Sequence, residues 1–308
     1  MNGWDEGVLP KEEINALIKP TLADVKRSTG LVLPSGGVKG LYLIGALQYL
    51  YETVGLDHIQ SYYGTSIGAI ISAFLIIGYT PLEILVFICV HKIMLYLISS
   101  FNITKIITEK RIIDTSVFIR ILTEMITNKC GCIPTLGEIF TTYHKKLVVV
   151  TISRENAHEP IYLSHDSHPT MSIVQALHMT ASIPYVFGYA LYDNVEYFDG
   201  AFLDPFPLLY ASKQEDWVFG IDLSNMWEKS DDIFTDIRNM MMIPTTFINN
   251  MLKKELIYGS YIDIDTKDEI TTHRTSDLIQ MFNAGYRQCK EQLGSESDDV
   301  KAKKEKND

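Results

Sequence analysis

Two short stretches hold the residue types of a hydrolytic centre. Gly64-Thr65-Ser66-Ile67-Gly68 offers a hydroxyl that can attack a carbonyl, and Phe198-Asp199-Gly200-Ala201 offers a carboxylate that can take its proton. The first follows an expected strand, Gln60–Tyr63, and precedes the apolar run Ala69–Ile77. A serine between two glycines there fits a tight strand-to-helix turn, which lifts the hydroxyl onto the upper edge of a sheet above a helix N-terminus. The chemistry this would support is acyl transfer from an ester. The five-residue pattern by itself is equally a glycine-rich turn with a buried serine, so the surrounding residues have to decide.

A third stretch, Pro34-Ser35-Gly36-Gly37-Val38-Lys39-Gly40, lies between a strand and a helix. Consecutive glycines let the backbone turn several N–H groups toward one point, giving donors for an anion. Acyl transfer develops negative charge on the former carbonyl oxygen, and one well-placed donor there is worth about 3–4 kcal/mol. A phosphate loop is a poor alternative, because no Gly-Lys-Ser or Gly-Lys-Thr follows and the spacing to Lys39 is wrong. A dinucleotide fingerprint fails on glycine register.

The base is less determined. The α/β-hydrolase order is serine, acid, histidine, and of eight histidines only His273 follows Asp199, in the polar run Thr271-Thr272-His273-Arg274. A two-residue arrangement, with Asp199 taking the serine proton directly, needs no histidine but does need a drier site. Asp204, just before Pro205, reads as a turn residue rather than a second acid. Lys39 is a cation at a helix start, where it is mildly unfavourable if solvated. Support of the glycine loop is favoured over contact with substrate.

These residues need a scaffold. The chain has 308 residues, enough for one large domain, and 46% hydrophobic content suffices for its core. Helical and strand-like segments alternate over the first two thirds, which favours an α/β arrangement around a largely parallel sheet. The expected strands are Gly30–Pro34, the β-branched run Lys146–Ser153, Glu196–Asp199 and Trp217–Leu223, with Pro160–Ser164 able to pair beside the second. Expected helices run over about Gly40–Val54, Ala69–Ile77, from Pro81 onward, Met171–Thr180, Asp231–Leu252 (interrupted at Pro244) and Ser276–Leu293. Residues 1–29 read as a helical lead-in, 30–293 as the folded domain, and 294–308 as a charged tail without periodicity that reads as disordered.

Net charge is −11, which excludes nucleic acid as a partner and gives anionic bilayers no long-range attraction. An uncharged or zwitterionic substrate suits it better. Cys89, Cys130, Cys132 and Cys289 form neither a disulfide framework nor a zinc pattern, so reduced thiols and no metal are expected. Asn102-Ile103-Thr104 matches a glycosylation acceptor without further support. The polar, acidic start Met1–Lys11 is not a signal peptide. Leu82–Ser99 is apolar but interrupted by Glu83, His91 and Lys92, too broken for a span of about 20 apolar residues. The expected setting is therefore intracellular, soluble or peripherally membrane-associated. Met240–Met242 and the Leu82–Ile98 helix suit lipid contact, although ordinary packing explains them as well.

Taken together, the three stretches resemble the motifs of the patatin-like phospholipase family, in the family's order. The glycine cluster is similar to its oxyanion loop, the serine turn to its nucleophile elbow, and Asp199-Gly200-Ala201 to its Asp-Gly-Gly/Ala motif. Ala181–Phe187 and Pro205–Leu209 resemble the segments around that aspartate, so the likeness spans about Gly30 to Leu223. The resemblance implies a three-layer α/β sandwich related to the α/β-hydrolase architecture. It also implies a serine–aspartate dyad that cleaves acyl esters of lipids without a cofactor or metal. Ser66 would be the nucleophile, Asp199 the base, and the amides of Gly36, Gly37 and Val38 the oxyanion hole. Lys39, Gly40, Gly64, Gly68 and Gly200 would support the motifs. Phospholipid or lysophospholipid and a transient membrane surface are the implied partners. An acyltransferase sharing the same acyl-enzyme, or an inactive lipid-binding scaffold, remain alternatives. One departure stands out: Ser35 replaces the first glycine of the cluster, which would cost about 1–2 kcal/mol if that position needed a positive φ.

Overall fold

A computed structural model describes residues 19–92, 104, 108–225, 233–256, 258–267 and 274–294. The lead-in residues 1–18, His273, the Met240–Met242 side chains, Asn102–Ile103 of the acceptor triplet and the tail beyond 294 lie outside the described residues. Helix α1 (Leu22–Arg27), closed by a capping box from Thr21 and Asp24, leads into strand β1 (Gly30–Leu33). A single 3-10 turn (Gly37–Lys39) then opens α2 (Gly40–Thr53). Strand β2 (Ser61–Thr65) runs into α3 (Ile67–Ile76), and α4 (Pro81–Val90) follows with Thr80 and Glu83 as its capping box.

Helices α5 (Thr115–Cys130) and α6 (Leu136–Tyr143) precede strands β3 (Lys146–Ser153) and β4 (Ile161–Leu163). Next come α7 (Ile173–Thr180), the hairpin β5 (Ala190–Tyr192) and β6 (Val195–Asp199), and the short α8 (Leu208–Ala211). Strand β7 (Val218–Ser224), α9 (Ile233–Lys254), β8 (Gly259–Asp265) and α10 (Thr275–Leu293) complete the fold.

All eight strands join one sheet in the order β5-β6-β3-β2-β1-β7-β8, with β4 also paired to β3. The five strands β3-β2-β1-β7-β8 run parallel, whereas β4, β5 and β6 add antiparallel pairs at one side. Both faces of this mixed, mostly parallel sheet are covered. On β1, Leu31 and Leu33 enter the main core beneath α2, α3 and α10, while Val32 enters a second cluster with Tyr63, Phe206 and Leu208. That alternation is the period-two signature of a strand buried on both sides, and it makes the molecule a three-layer sandwich.

Two expectations change. Pro244 does not interrupt its helix, because α9 continues through it to Lys254. Pro244 is exposed, so the carbonyl that loses its donor can turn toward water. The apolar stretch after Pro81 forms only a ten-residue helix before the described residues stop. Among the described residues no single helix is long and apolar enough to cross a membrane. The α3–α4 pair, which passes on composition, is bent by 116°.

Candidate active site

Sheet register brings the separated motifs together. Thr65, the last residue of β2, pairs with Val150 of β3, while Asp199, the last of β6, pairs with the next β3 residue, Thr151. Ser66 and Asp199 thus leave strands flanking β3 at the same level, with backbones roughly 10 Å apart, a gap two inward-turned side chains can bridge. The Ser66 hydroxyl lies close enough to the Asp199 carboxylate to lower its pKa, and both residues are buried.

Ser66 has φ 55° and ψ −123°, a conformation that disfavours an L-residue and needs support from its surroundings. The support is visible. Its N–H donates to Thr180 Oγ1 at 2.9 Å, and the Thr180 hydroxyl in turn donates to the Val150 carbonyl. Thr65 Oγ1 donates to the Asp204 carbonyl at 2.8 Å. A side chain at Gly64 would meet the Ala69 backbone nitrogen at 2.4 Å, and one at Gly68 would meet the Leu33 carbonyl oxygen at 2.4 Å. The two glycines are therefore required by space, and the turn could not close around anything larger.

The Gly68 contact also locates the glycine loop. Leu33 and Pro34 lie against Gly68 where the loop begins, and Gly40 lies against Ile67 where it ends. The loop thus arches over the first turn of α3 beside Ser66. Ser35 N–H donates to Pro205 O at 2.8 Å and Lys39 N–H to Gly36 O at 3.1 Å. Among the described residues no backbone carbonyl takes the N–H of Gly36, Gly37 or Val38. The loop's positive φ, 54°, falls on Gly37, and Ser35 is not among the positive-φ residues. The serine-for-glycine replacement therefore carries no backbone penalty.

Lys39 is not a solvated cation. It is buried, with Nζ donating to Thr266 Oγ1 at 3.2 Å and to the Thr266 carbonyl at 3.4 Å, just past the end of β8. The loop's far end is thereby tied to the sheet. Asp204 also differs from the turn residue expected before Pro205. Its carboxylate is buried and accepts from Tyr162 Oη at 2.8 Å, and burial lifts its pKa to about 6 against the pull of that bond.

Asp199 is the more perturbed acid. Burial pushes its pKa to about 7, opposed by the Ser66 hydroxyl and the Ala201 N–H, which donates to Oδ1 at 2.9 Å. Its own N–H donates to the Ser182 carbonyl at 3.0 Å, and a side chain at Gly200 would strike the Val150 carbonyl oxygen at 2.5 Å. Thr180, Ser182 and Tyr162 escaped the sequence reading. The only local signal was their nearness to the Ala181–Phe187 stretch and to Pro160–Ser164.

Beside the loop, a cavity of about 530 Å³ separates Pro34, Ser35 and Pro205 from α9, whose Ile243, Phe247 and Asn249 line its other side. At its wall Lys253 Nζ sits 2.5 Å from Asp222 Oδ2 and 2.8 Å from Asp263 Oδ1, and Asn249 Nδ2 donates to Asp222 at 2.8 Å. Burial opposes the Lys253 charge, but the two carboxylates outweigh it and raise the lysine's pKa.

Residues 31–212, more than half of the chain, match the family described as Patatin-like phospholipase. Among curated relatives, "Probable lipid hydrolase 463L" of Invertebrate iridescent virus 6 is 29% identical over 205 residues, covering 62% of this chain and 68% of that protein. "Uncharacterized protein R571" of Acanthamoeba polyphaga mimivirus is 25% identical over 299 residues, covering 85% and 93%. Among solved structures, VipD from Legionella pneumophila aligns with a TM-score of 0.50 at 16% identity, over 87% of this chain and 67% of that one. ExoU in the ExoU–SpcU complex of Pseudomonas aeruginosa aligns with a TM-score of 0.50 at 15% identity, over 87% of this chain and 51% of that one. The chain thus spans about half to two thirds of these two, and the likeness is one of fold. With the family match running from β1 through α8, the chain belongs to the patatin-like phospholipase family.

Proposed function

We propose that the protein is a lipid acyl hydrolase that cleaves carboxylic esters of phospholipids or lysophospholipids through an acyl-enzyme on Ser66. Family membership and the resemblance to a probable lipid hydrolase support lipid-hydrolase activity. The single observation that carries the finer reading is the buried Ser66 hydroxyl beside a buried Asp199 carboxylate whose pKa burial pushes up to about 7. A carboxylate stripped of water and poised near neutrality is a far better base toward an alcohol than a hydrated one.

In the first step Asp199 takes the Oγ proton as Ser66 attacks the ester carbonyl carbon. The developing oxyanion is held by the N–H groups of Gly36 and Gly37, with Val38 beside them. When the intermediate collapses, the C–O bond to the lipid alcohol breaks. The departing alkoxide receives the proton from Asp199, leaving an acyl ester on Ser66. In the second step Asp199 takes a proton from water as it attacks that ester. The fatty acid leaves, and the proton returns to Ser66 Oγ. The substrate is a lipid presented at a membrane surface that the protein contacts transiently.

The test is fatty-acid release from phosphatidylcholine–detergent mixed micelles. Release by the native protein, abolished in both Ser66→Ala and Asp199→Asn with unchanged circular dichroism, is expected. Undiminished release by either variant would remove the dyad as assigned.

A further inference from the structure

Helix α9 presents two lines of side chains with opposite characters. Thr245, Asn249 and Lys253 are spaced by four, so they lie on one line. Thr245 is buried, while Asn249 and Lys253 hold Asp222 and Asp263. This line fixes the roll of the helix against the sheet. Offset by two residues, and so on the opposite face, stand Ile243, Phe247 and Met251, also spaced by four. They are 56%, 65% and 54% exposed. No charged residue stands between Arg238 and Lys253, although charged residues make up 21% of the chain. A helix solvated on its outer face ordinarily carries charges there; this one carries an apolar stripe.

We propose that the Ile243–Phe247–Met251 stripe is the surface by which the protein docks on a lipid bilayer, lying in the interface with the cavity mouth facing the lipid. This rests on the lipid-hydrolase reading above. The occupant follows from where the stripe leads. Ile243 and Phe247 also line the cavity whose other wall is Pro34 and Ser35, the start of the glycine loop beside Ser66. A second copy of the chain seated permanently on the stripe would seal that mouth, whereas a bilayer would leave it facing lipid at the start of the glycine loop. An uncharged helical face with aromatic and aliphatic side chains suits shallow insertion at the acyl–headgroup boundary. With a net charge of −11 the protein gains nothing from anionic headgroups, so docking is apolar and suits zwitterionic lipid.

The experiment is sedimentation of the full chain with phosphatidylcholine vesicles, paired with hydrolysis of those vesicles and of a water-soluble short-chain ester. The Phe247→Ser/Met251→Ser variant is compared with Val86→Ser, which removes a half-exposed apolar residue from α4, a helix that does not line the cavity. The expected result is at least tenfold weaker vesicle binding in the α9 variant. Its ratio of vesicle to soluble-ester hydrolysis should fall by a similar factor, while Val86→Ser and added salt leave both readings within about twofold. Several outcomes overturn the inference: native protein that does not sediment, an α9 variant that sediments like the native protein, or equal loss in Val86→Ser. Conversion of a dimer to a monomer by the α9 variant, with sedimentation unchanged, does so too. If the native protein sediments but hydrolyses neither substrate, the functional reading fails and the docking reading stands.

Discussion

Two aspartates at the carboxyl edge of the same sheet, Asp199 on β6 and Asp222 on β7, are buried to the same degree but differ in their partners. Asp222 has a cation, Lys253, and an amide, Asn249, held against it. Asp199 has only the Ser66 hydroxyl and the Ala201 N–H, and among the described residues no charged group perturbs it. Burial raises the pKa of both, but at Asp222 the Lys253 cation opposes that shift, whereas at Asp199 no cation does, which leaves a carboxylate that readily accepts a proton. The difference separates a support from a candidate base, and each half of it can be broken separately.

The largest expected effect is on turnover. Asp199→Asn should lower kcat for a soluble ester by about 10³-fold, while Asp222→Asn stays within about threefold in the same assay. Next comes stability. Lys253→Met leaves Asp222 buried without its cation and should cost about 3–5 kcal/mol, read in chemical denaturation, with most of it restored in the Asp222→Asn/Lys253→Met double variant.

The pH dependence sharpens the same contrast. With the ionised Asp199 as the proposed base and burial pushing its pKa up to about 7, kcat/KM should climb about tenfold per unit below that pH and level off above it. The sign for stability is opposite. Raised from its ordinary 3.8 to about 7, the Asp199 carboxyl binds its proton more tightly in the fold. Its contribution therefore favours the fold at low pH and is lost as pH rises between those values. Asp199→Asn should accordingly raise Tm at pH 8 by roughly 5 °C, and by less at pH 5. The smallest effect is expected for Thr180→Val, which removes the acceptor of the Ser66 N–H. A kcat loss of about tenfold with KM little changed would mark it as a positioning residue.

The parts of the site dictated by local geometry were legible in the sequence. Gly64, Gly68 and Gly200 stand where a side chain would collide with backbone within the turn or on the next strand, and such constraints leave a mark in the one-dimensional pattern. The strand Lys146–Ser153 was legible for a similar reason, since a strand buried on both faces reads as an unbroken β-branched run. What stayed hidden depends on partners far along the chain. Thr180 meets Ser66 across 114 positions, and Tyr162 meets Asp204 across 42. Support of the glycine loop by Lys39 was the favoured reading, but its partner Thr266 stayed hidden because it follows β8. With two aspartates among its seven residues, β8 did not read as a strand at all. Pro244 misled in the other direction, since proline's cost to a helix depends on whether the freed carbonyl can reach water, and sequence does not report that.

The proposed chemistry requires that Asp199 activate Ser66. Mass spectrometry of the protein treated with a fluorophosphonate reads this directly. A single adduct on the peptide containing Ser66, forming faster as pH rises through about 7 and at least 10²-fold slower in Asp199→Asn, is the expected result. An adduct on another residue, or labelling of Ser66 at an unchanged rate in Asp199→Asn, would contradict it.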